Sequence, residues 1–182
     1  MKALKKIYTA LMLLAFAFVF ASCSSGSDSD DDDDQSITLS DGNYALKITQ
    51  TSDGMAEEYD IKATASNETW TFKSGSKTQT VDLTKQMSKD DLTAFNAMGE
   101  DAKKAMTKKE MSLPDDAEIS FADNKVIVKS TLSAAELTEM QEDYKLSSIP
   151  SDAKIKTIKD NEYEITMSTK EWETIVFHVN KD

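Results

Sequence analysis

The amino-acid sequence predicts an α+β domain, built on an antiparallel sheet of about nine strands with two helical segments. Several short runs alternate apolar and polar residues, which is the period of a strand with one buried face. Two other segments open with a capping box and continue with apolar residues three apart, as amphipathic helices do. Because short turns separate the strand-like runs, neighbouring strands are expected to pair antiparallel. A sheet of that size is large enough to curl or to take a barrel-like form.

The strands are inferred from alternation and from the turn residues that separate the runs. Alternating apolar side chains occur within residues 44–48, 59–61, 70–72 and 175–179. The turn sequences are Ser52-Asp53-Gly54, Ser74-Gly75-Ser76, Asp123-Asn124 and Asp160-Asn161. Gly, Asn and Asp tolerate the positive φ that tight hairpin turns require. The predicted order is four N-terminal strands, a helical segment, a hairpin, a second helix, a second hairpin and a final strand.

Both helical segments begin at a serine that is followed three residues later by a carboxylate. Ser88 precedes Asp91 and Ser133 precedes Glu136, so each serine is predicted to cap its helix through the hydroxyl. Gly99 is expected to kink or end the first helix, because glycine is a poor helix former. The helical pattern then resumes over residues 100 to about 109.

A short sequence occurs twice in the second half of the chain. Residues 112–119 (SLPDDAEI) match residues 148–155 (SIPSDAKI) at an offset of 36 residues. Each copy follows a helical segment and leads into an Asp-Asn turn. This pattern predicts a duplicated α-β-β unit within one domain, since two copies are fewer than a solenoid needs.

The N-terminus has the form of a cleaved export signal. Three lysines within the first six residues precede an apolar run over residues 7–21, which is shorter than the about 20 residues that span a bilayer. Small residues then precede Cys23, the only cysteine of the chain, which therefore has no intramolecular disulfide partner. Acylation of this thiol is the simplest interpretation, with signal cleavage between Ser22 and Cys23. The alternatives are an uncleaved anchor and a free cysteine.

This segment resembles a bacterial lipobox, and the residues after it resemble the export signal of Bacteroidota-type surface lipoproteins. In that family the signal is an acidic tract shortly after the lipidated cysteine, and the matching residues here are Asp30, Asp31, Asp32, Asp33 and Asp34. The resemblance implies a protein that is held at the outer membrane by lipid on Cys23 and faces the cell exterior. The tract also suits a solvated linker, since like charges extend a chain that buries little apolar surface. The predicted organisation is a signal peptide over residues 1–22, a lipidated tether over 23–36 and one folded domain over 37–182.

The charge composition argues against two classes of function. The formal net charge is −12, whereas a nucleic-acid surface must be basic to neutralise phosphates. All 21 basic residues are lysines, so the bidentate guanidinium fork that binds phosphates is missing from the chain. Neither nucleic-acid binding nor phosphoryl transfer is therefore expected.

The sequence contains no recognisable catalytic set. Its one histidine, His178, lies in the last predicted strand and is expected to be a partly buried structural residue, since no Gly-x-Ser-x-Gly sequence presents a nucleophile to it. One histidine and one cysteine do not make a zinc site, and no cofactor or metal is expected. General acid–base work needs carboxylates opposed across a cleft, which adjacency in sequence does not provide. The adjacent pairs are Glu57 with Glu58, Asp90 with Asp91, Asp115 with Asp116 and Glu142 with Asp143.

The remaining binding signal is aromatic. Trp70 and Trp172 are candidate ligand contacts if their rings are exposed, because indoles stack on sugars and anchor protein partners; in alternating strands they are more often core residues. The sequence thus predicts a lipid-anchored envelope protein with a non-enzymatic binding or interaction domain, whose partner is a glycan or an envelope protein. The alternatives are a carboxylate-dependent glycan hydrolase and a structural, inhibitor-like component of an envelope assembly.

Overall fold

The structure is a computed structural model, and it describes residues 37, 39–67, 69–143, 152–169 and 172–182. The predicted signal peptide, Cys23 and the acidic tract lie outside these residues, as does the start of the second repeat copy (148–151), so those predictions and the duplication stay predictions. None of the described helices is long and apolar enough to cross a bilayer.

Eight strands and four helices make up the described part of the chain. The strands are β1 (Gly42–Ser52), β2 (Met55–Ser66), β3 (Thr69–Asp82), β4 (Glu118–Ala122), β5 (Lys125–Thr131), β6 (Lys154–Lys159), β7 (Glu162–Met167) and β8 (Thr174–Lys181). Between β3 and β4 lie α1 (Leu83–Gln86), α2 (Lys89–Asn96) and α3 (Glu100–Glu110), and α4 (Ala134–Asp143) lies between β5 and β6.

All eight strands join one antiparallel sheet in the order β4-β5-β3-β2-β1-β8-β7-β6. The predicted α+β class and the antiparallel pairing are confirmed. The barrel-like form is wrong, because β4 and β6 stand at opposite edges and the sheet is open. The prediction of about nine strands exceeds the eight found here, and four helices occur where two helical segments were predicted.

The fourth predicted N-terminal strand depends on a turn that does not form. Ser74-Gly75-Ser76 lies inside β3, which continues without a break for 14 residues. The chain reverses instead next to Asn67, whose φ is +51°, so there are three N-terminal strands rather than four. Gly75 is needed for close approach, because a Cβ there would lie 2.9 Å from the carbonyl oxygen of Asp60 and 2.9 Å from Cδ1 of Leu132.

The other predicted turns are confirmed. β1 and β2 are joined through Asp53 and Gly54, and Gly54 has a φ of +79° that few other residues adopt. The two later hairpins turn at Asp123, Asn124 and Asn161, all of which have positive φ. Short polar side chains thus close these hairpins, as tight antiparallel connections require.

Both predicted serine caps are confirmed. The Ser88 hydroxyl accepts the backbone N–H of Asp91 at 3.2 Å, which starts α2. At α4 the box is reciprocal: Ser133 accepts the N–H of Glu136 at 3.3 Å, and the Glu136 carboxylate accepts the N–H of Ser133 at 2.8 Å. Gly99 separates α2 from α3 and caps the latter, so the predicted break in the helical segment is also confirmed.

Alternation along the strands gives the sheet one buried face and one open face. Tyr44, Leu46 and Ile48 of β1 are at most 2% exposed, and Ile175, Phe177 and Val179 of β8 continue the same buried face. The main hydrophobic cluster lies on this side beneath α4. A second cluster on the same side joins β3, β4 and β5 to α1, α2 and α3. The core therefore has two adjoining parts, and in each of them helices pack against the same face of the sheet.

The segment before β1 is fixed to the domain. Leu39 is 4% exposed and belongs to the main cluster. The Lys181 ammonium donates to the hydroxyl of Ser40 and, at 3.2 Å, to the carbonyl oxygen of Asp41. The Tyr44 hydroxyl donates to the carbonyl oxygen of Ser40 at 2.8 Å. A tether that precedes this segment would therefore enter at the end of the sheet where β1 begins and β8 ends.

Candidate functional site

The open face of the sheet carries mostly polar side chains. It carries Ala45, Lys47 and Thr49 of β1 together with the residues that pair with them on β2 and β8. Both hydrophobic clusters, and the helices that pack on them, lie on the other side. Because successive residues of a strand point to opposite faces, every second side chain of the central strands is presented to solvent here.

A groove of about 550 Å³ crosses the four central strands β3, β2, β1 and β8 on the open face. Two neighbouring cross-strand rows line it, one of Ser74, Lys62, Ala45 and Asn180 and one of Ser76, Asp60 and Lys47. Ala45 lies at the centre of the first row, between the long side chains of Lys62 and Asn180. A methyl group among longer neighbours leaves a depression, and its volume falls in the about 300–1,000 Å³ range of small-molecule sites.

Five side chains of the groove have no hydrogen-bond partner within the described part of the chain. They are Asp60, Lys62, Ser74, Ser76 and Asn180. This set combines one carboxylate acceptor, one ammonium donor, and hydroxyl and amide groups that both donate and accept. Polar groups that border one depression make it a candidate ligand site.

Two other polar residues at the groove, Lys47 and His178, are already paired. Lys47 Nζ lies 3.5 Å from Glu58 Oε2, and both side chains are about half exposed. His178 stands beside Lys47 in register, and its Nδ1 is 3.7 Å from Oε2 of Glu164 on β7. The His178 side chain is 39% exposed, so it is a partly buried residue in a cross-strand pair, as its sequence context predicted.

A second polar cluster lies on the buried face, in the cross-strand rows between the two hydrophobic clusters. Glu57 is 6% exposed and accepts hydrogen bonds from the Tyr59 hydroxyl, from Gln79 Nε2 at 3.0 Å and from Lys77 Nζ at 2.8 Å. The Lys77 ammonium also lies 5.4 Å from the centroid of the Tyr59 ring. Three donors already satisfy the carboxylate, so this cluster is complete without a ligand and serves the fold.

A smaller pocket of about 180 Å³ lies where α2 and α3 meet the turn between β4 and β5. Lys103 Nζ is 5.2 Å from the centroid of the Phe95 ring and 5.8 Å from that of Phe121, so this cation already lies near two aromatic faces. Asn96 donates to the side chain of Asn124 at 2.9 Å. Since these polar groups are used within the fold, the pocket is a weaker candidate than the groove.

The two tryptophans that the sequence suggested as ligand contacts are core residues. Trp70 and Trp172 are each 4% exposed and belong to the main hydrophobic cluster. The ring of Trp70 packs against Phe72 with 5.6 Å between centroids. A ring that stacks on a ligand must be exposed, so neither residue is available for that role.

The adjacent carboxylates of the sequence have separate roles in the structure. Glu57 is buried and Glu58 is exposed on the other face. Asp115 pairs with Lys108 at 2.8 Å, and this hydrogen-bonded ion pair holds the pKa of Asp115 below its usual range, which is the opposite of what a general acid needs. Among the described residues, no group of three or more His, Cys, Asp or Glu side chains is placed to hold a metal ion.

The groove could not be predicted from the sequence, because its residues are far apart along the chain. Residues 45–47, 60–62, 74–76 and 180 become neighbours only through the register of four strands. The alternation of apolar residues does indicate which side chains of β1 and β2 face outward. It gives no signal for the depression over Ala45, which depends on the side chains of two other strands.

Comparisons with known proteins identify no relative of this chain. No protein-family model matches the sequence, and no curated protein or solved structure is similar enough to indicate a relationship. Function is therefore inferred from the chemistry of the groove and from the N-terminal sequence.

Proposed function

We propose that this chain is a lipid-anchored protein of the cell envelope that binds a ligand in the groove without transforming it. The observation that carries the binding role is the convergence of five free polar side chains on one depression of the open face. The anchoring role rests on the lipobox-like sequence at Cys23, and display at the cell surface rests on the run Asp30–Asp34.

The segment before β1, residues 39–41, fixes where a tether would join the domain. Leu39, Ser40 and Asp41 are held by the fold, so the free tether would be residues 24–36, which span at most about 45 Å. The groove lies near the end of β1 where this tether enters, since Ala45 is only three residues from the start of the strand. An anchored domain would thus hold its groove within about 60 Å of the bilayer.

The geometry favours binding over hydrolysis. Asp60 is the one carboxylate among the residues that line the groove, whereas glycoside hydrolysis canonically uses two carboxyl groups that flank the bond. Glu58 lies two residues away on the same face of β2, but it does not line the groove and is paired with Lys47. The groove therefore has the donors and acceptors to hold a ligand and lacks a ready acid–base pair.

The anchoring role is tested by replacing the thiol. Cys23→Ser is expected to move the protein from the membrane fraction to the soluble fraction, because acylation is lost. Ser27→Ala, four residues away, is the matched control and should stay in the membrane fraction. A Cys23→Ser protein that remains membrane-bound at the wild-type level would refute lipid anchoring at this residue.

Display at the cell surface is tested by protease accessibility on intact cells. Replacing Asp30 to Asp34 by alanine should hide the domain from added protease if the acidic tract directs export. The control replaces Asp115 and Asp116, an exposed acidic pair within the domain, and should leave accessibility unchanged. Equal accessibility of both variants would mean that the tract is only a linker.

Binding in the groove is tested by labelling exposed lysine amines in the purified full chain and reading each site by mass spectrometry. Incubation with an outer-membrane extract, or with polysaccharides of the growth medium, should protect Lys62 from labelling. Lys154, on the same face but outside the groove lining, is the internal control and should label normally. Unchanged labelling of Lys62 with both preparations would refute the groove as the binding site.

A further inference from the structure

We propose that the ligand of the groove is an uncharged saccharide, whose hydroxyl groups donate hydrogen bonds to Asp60, accept them from Lys62 and do both with Asn180. This inference rests on the proposed function and specifies the chemistry of its ligand.

The charges around the groove balance. Of the described lining residues, Lys47 is paired with Glu58 beside the groove, which leaves one free cation, Lys62, and one free anion, Asp60. A free anion or cation would therefore find no net attraction in the groove itself. An anion would also approach a chain whose formal net charge is −12. The balance favours a ligand without net charge.

The free polar groups suit a ligand that is rich in hydroxyls. The Asp60 carboxylate only accepts hydrogen bonds, and the Lys62 ammonium only donates them. Two adjacent hydroxyls of a sugar can donate to the two carboxylate oxygens, while their own oxygens accept from a lysine or an amide. Asn180, across Ala45 from Lys62, supplies both a donor and an acceptor.

The dimensions of the groove fit a short oligosaccharide that lies across the strands. The row from Ser74 through Lys62 and Ala45 to Asn180 crosses four strands, which corresponds to about 14 Å at the usual strand spacing. The second row lies about 7 Å away along the strands. A peptide is a poorer fit, because Ala45 is the only apolar side chain of the two rows and a bound peptide needs pockets for its side chains.

The groove lining contains no aromatic ring, so hydrogen bonds must provide most of the affinity. Hydrogen bonds to a charged group are the strongest of these, so Asp60 and Lys62 contribute most of the affinity. Asp60→Asn keeps the shape of the side chain but removes the charge and one of its acceptors, and it is expected to weaken saccharide binding about tenfold or more.

The first experiment measures protection of Lys62 and the dissociation constant with the full chain in detergent. The neutral probes are maltotriose, cellotriose, xylotriose and mannotriose, and the acidic probe is trigalacturonate. At least one neutral probe should protect Lys62 and lose affinity in Asp60→Asn. Glu118→Gln removes one negative charge from the same face outside the groove, and it should bind as the wild type does. Stronger binding of trigalacturonate than of every neutral probe would overturn the inference.

The second experiment separates the inference from the proposed function on which it rests. An outer-membrane extract that protects Lys62 is treated with periodate, which cleaves vicinal diols, or with protease. Loss of protection after periodate alone supports a saccharide. Protection that survives periodate but not protease overturns the saccharide while leaving the groove as a binding site. Extracts that never protect Lys62 overturn both proposals, and release of reducing ends from a bound probe overturns the non-catalytic role.

Discussion

Removal of the buried Glu57 carboxylate should destabilise the domain far more than removal of its neighbour in the sequence. In Glu57→Ala, the Tyr59 hydroxyl, Gln79 Nε2 and Lys77 Nζ all lose the acceptor that they share. A buried donor that loses its partner costs about 1–3 kcal/mol. The Lys77 side chain is 24% exposed and can reach water, so the cost of leaving its ammonium unpaired lies at the low end of that range. The free energy of unfolding should therefore fall by about 3 kcal/mol, as when a buried ion pair loses one partner.

The assay is equilibrium unfolding in urea, followed by the fluorescence of Trp70 and Trp172, which are buried in the folded protein. With a slope of about 2 kcal/mol/M for a domain of this size, the midpoint should fall by about 1.5 M. Glu58→Ala is the matched control: its ion pair with Lys47 spans 3.5 Å between half-exposed groups, so its free energy of unfolding should change by less than about 1 kcal/mol.

A double variant identifies the physical cause. Glu57→Met combined with Lys77→Met replaces both charges by apolar groups. It should recover only the part of the loss that the unpaired Lys77 causes, because the Tyr59 hydroxyl and Gln79 Nε2 still lack their shared acceptor. Glu57→Ala and Glu58→Ala with equal midpoints would refute the importance of the buried network. A double variant as unstable as Glu57→Ala would show that the unpaired lysine contributes little to the loss of stability.

The remaining predictions concern backbone contacts, capping and pH. Gly75→Ala should lower the free energy of unfolding by about 2 kcal/mol in the same assay, since its Cβ would meet a carbonyl oxygen and a leucine methyl at 2.9 Å. Gly99→Ala, with nothing within 4 Å, should change it by less than about 1 kcal/mol, because the poorer N-cap is offset by the lower entropy of the unfolded chain. Ser133→Ala should cost about 1 kcal/mol through loss of the α4 cap, and an unchanged midpoint would contradict that role. Hydrogen bonds from the side chain and backbone of Thr84 hold the pKa of Asp82 below its usual value. The stabilising effect of the ionised carboxylate is therefore complete at neutral pH and is lost as the pH falls below about 4. The difference in the free energy of unfolding between wild type and Asp82→Asn should shrink between pH 7 and pH 3. A difference that stays constant over this range would refute the role of Asp82.

The groove and the buried Glu57 network lie on opposite faces of β2 and β3. On β2, Glu57 and Tyr59 point into the core while Asp60 and Lys62 point into the groove. A substitution in the groove therefore leaves the buried network intact, because side chains of alternate residues lie on different faces. Asp60→Asn should consequently lose ligand affinity at an unchanged urea midpoint, which separates a binding defect from unfolding.

Local signals in the sequence identified most elements of the fold. The caps at Ser88 and Ser133, the turns at Gly54 and Asn161 and the buried face of β8 are all set by neighbouring residues, so they were predictable. The sequence predicts a turn at Gly75 where none forms, because a glycine between two serines has the same local pattern whether it turns the chain or admits a close neighbour. Only the packing of Leu132 against β3 distinguishes the two cases.

The sequence by itself determined the α+β class, the strand alternation and the acidic, arginine-free composition, because each depends on residue type and on spacing along one segment. The tertiary structure decided that the sheet is open, that Trp70 and Trp172 are buried and that the polar residues of four strands meet around Ala45. These features depend on which strands become neighbours and in which register. Register is a property of the whole sheet, since a shift by one residue would exchange the core face and the groove face of a strand.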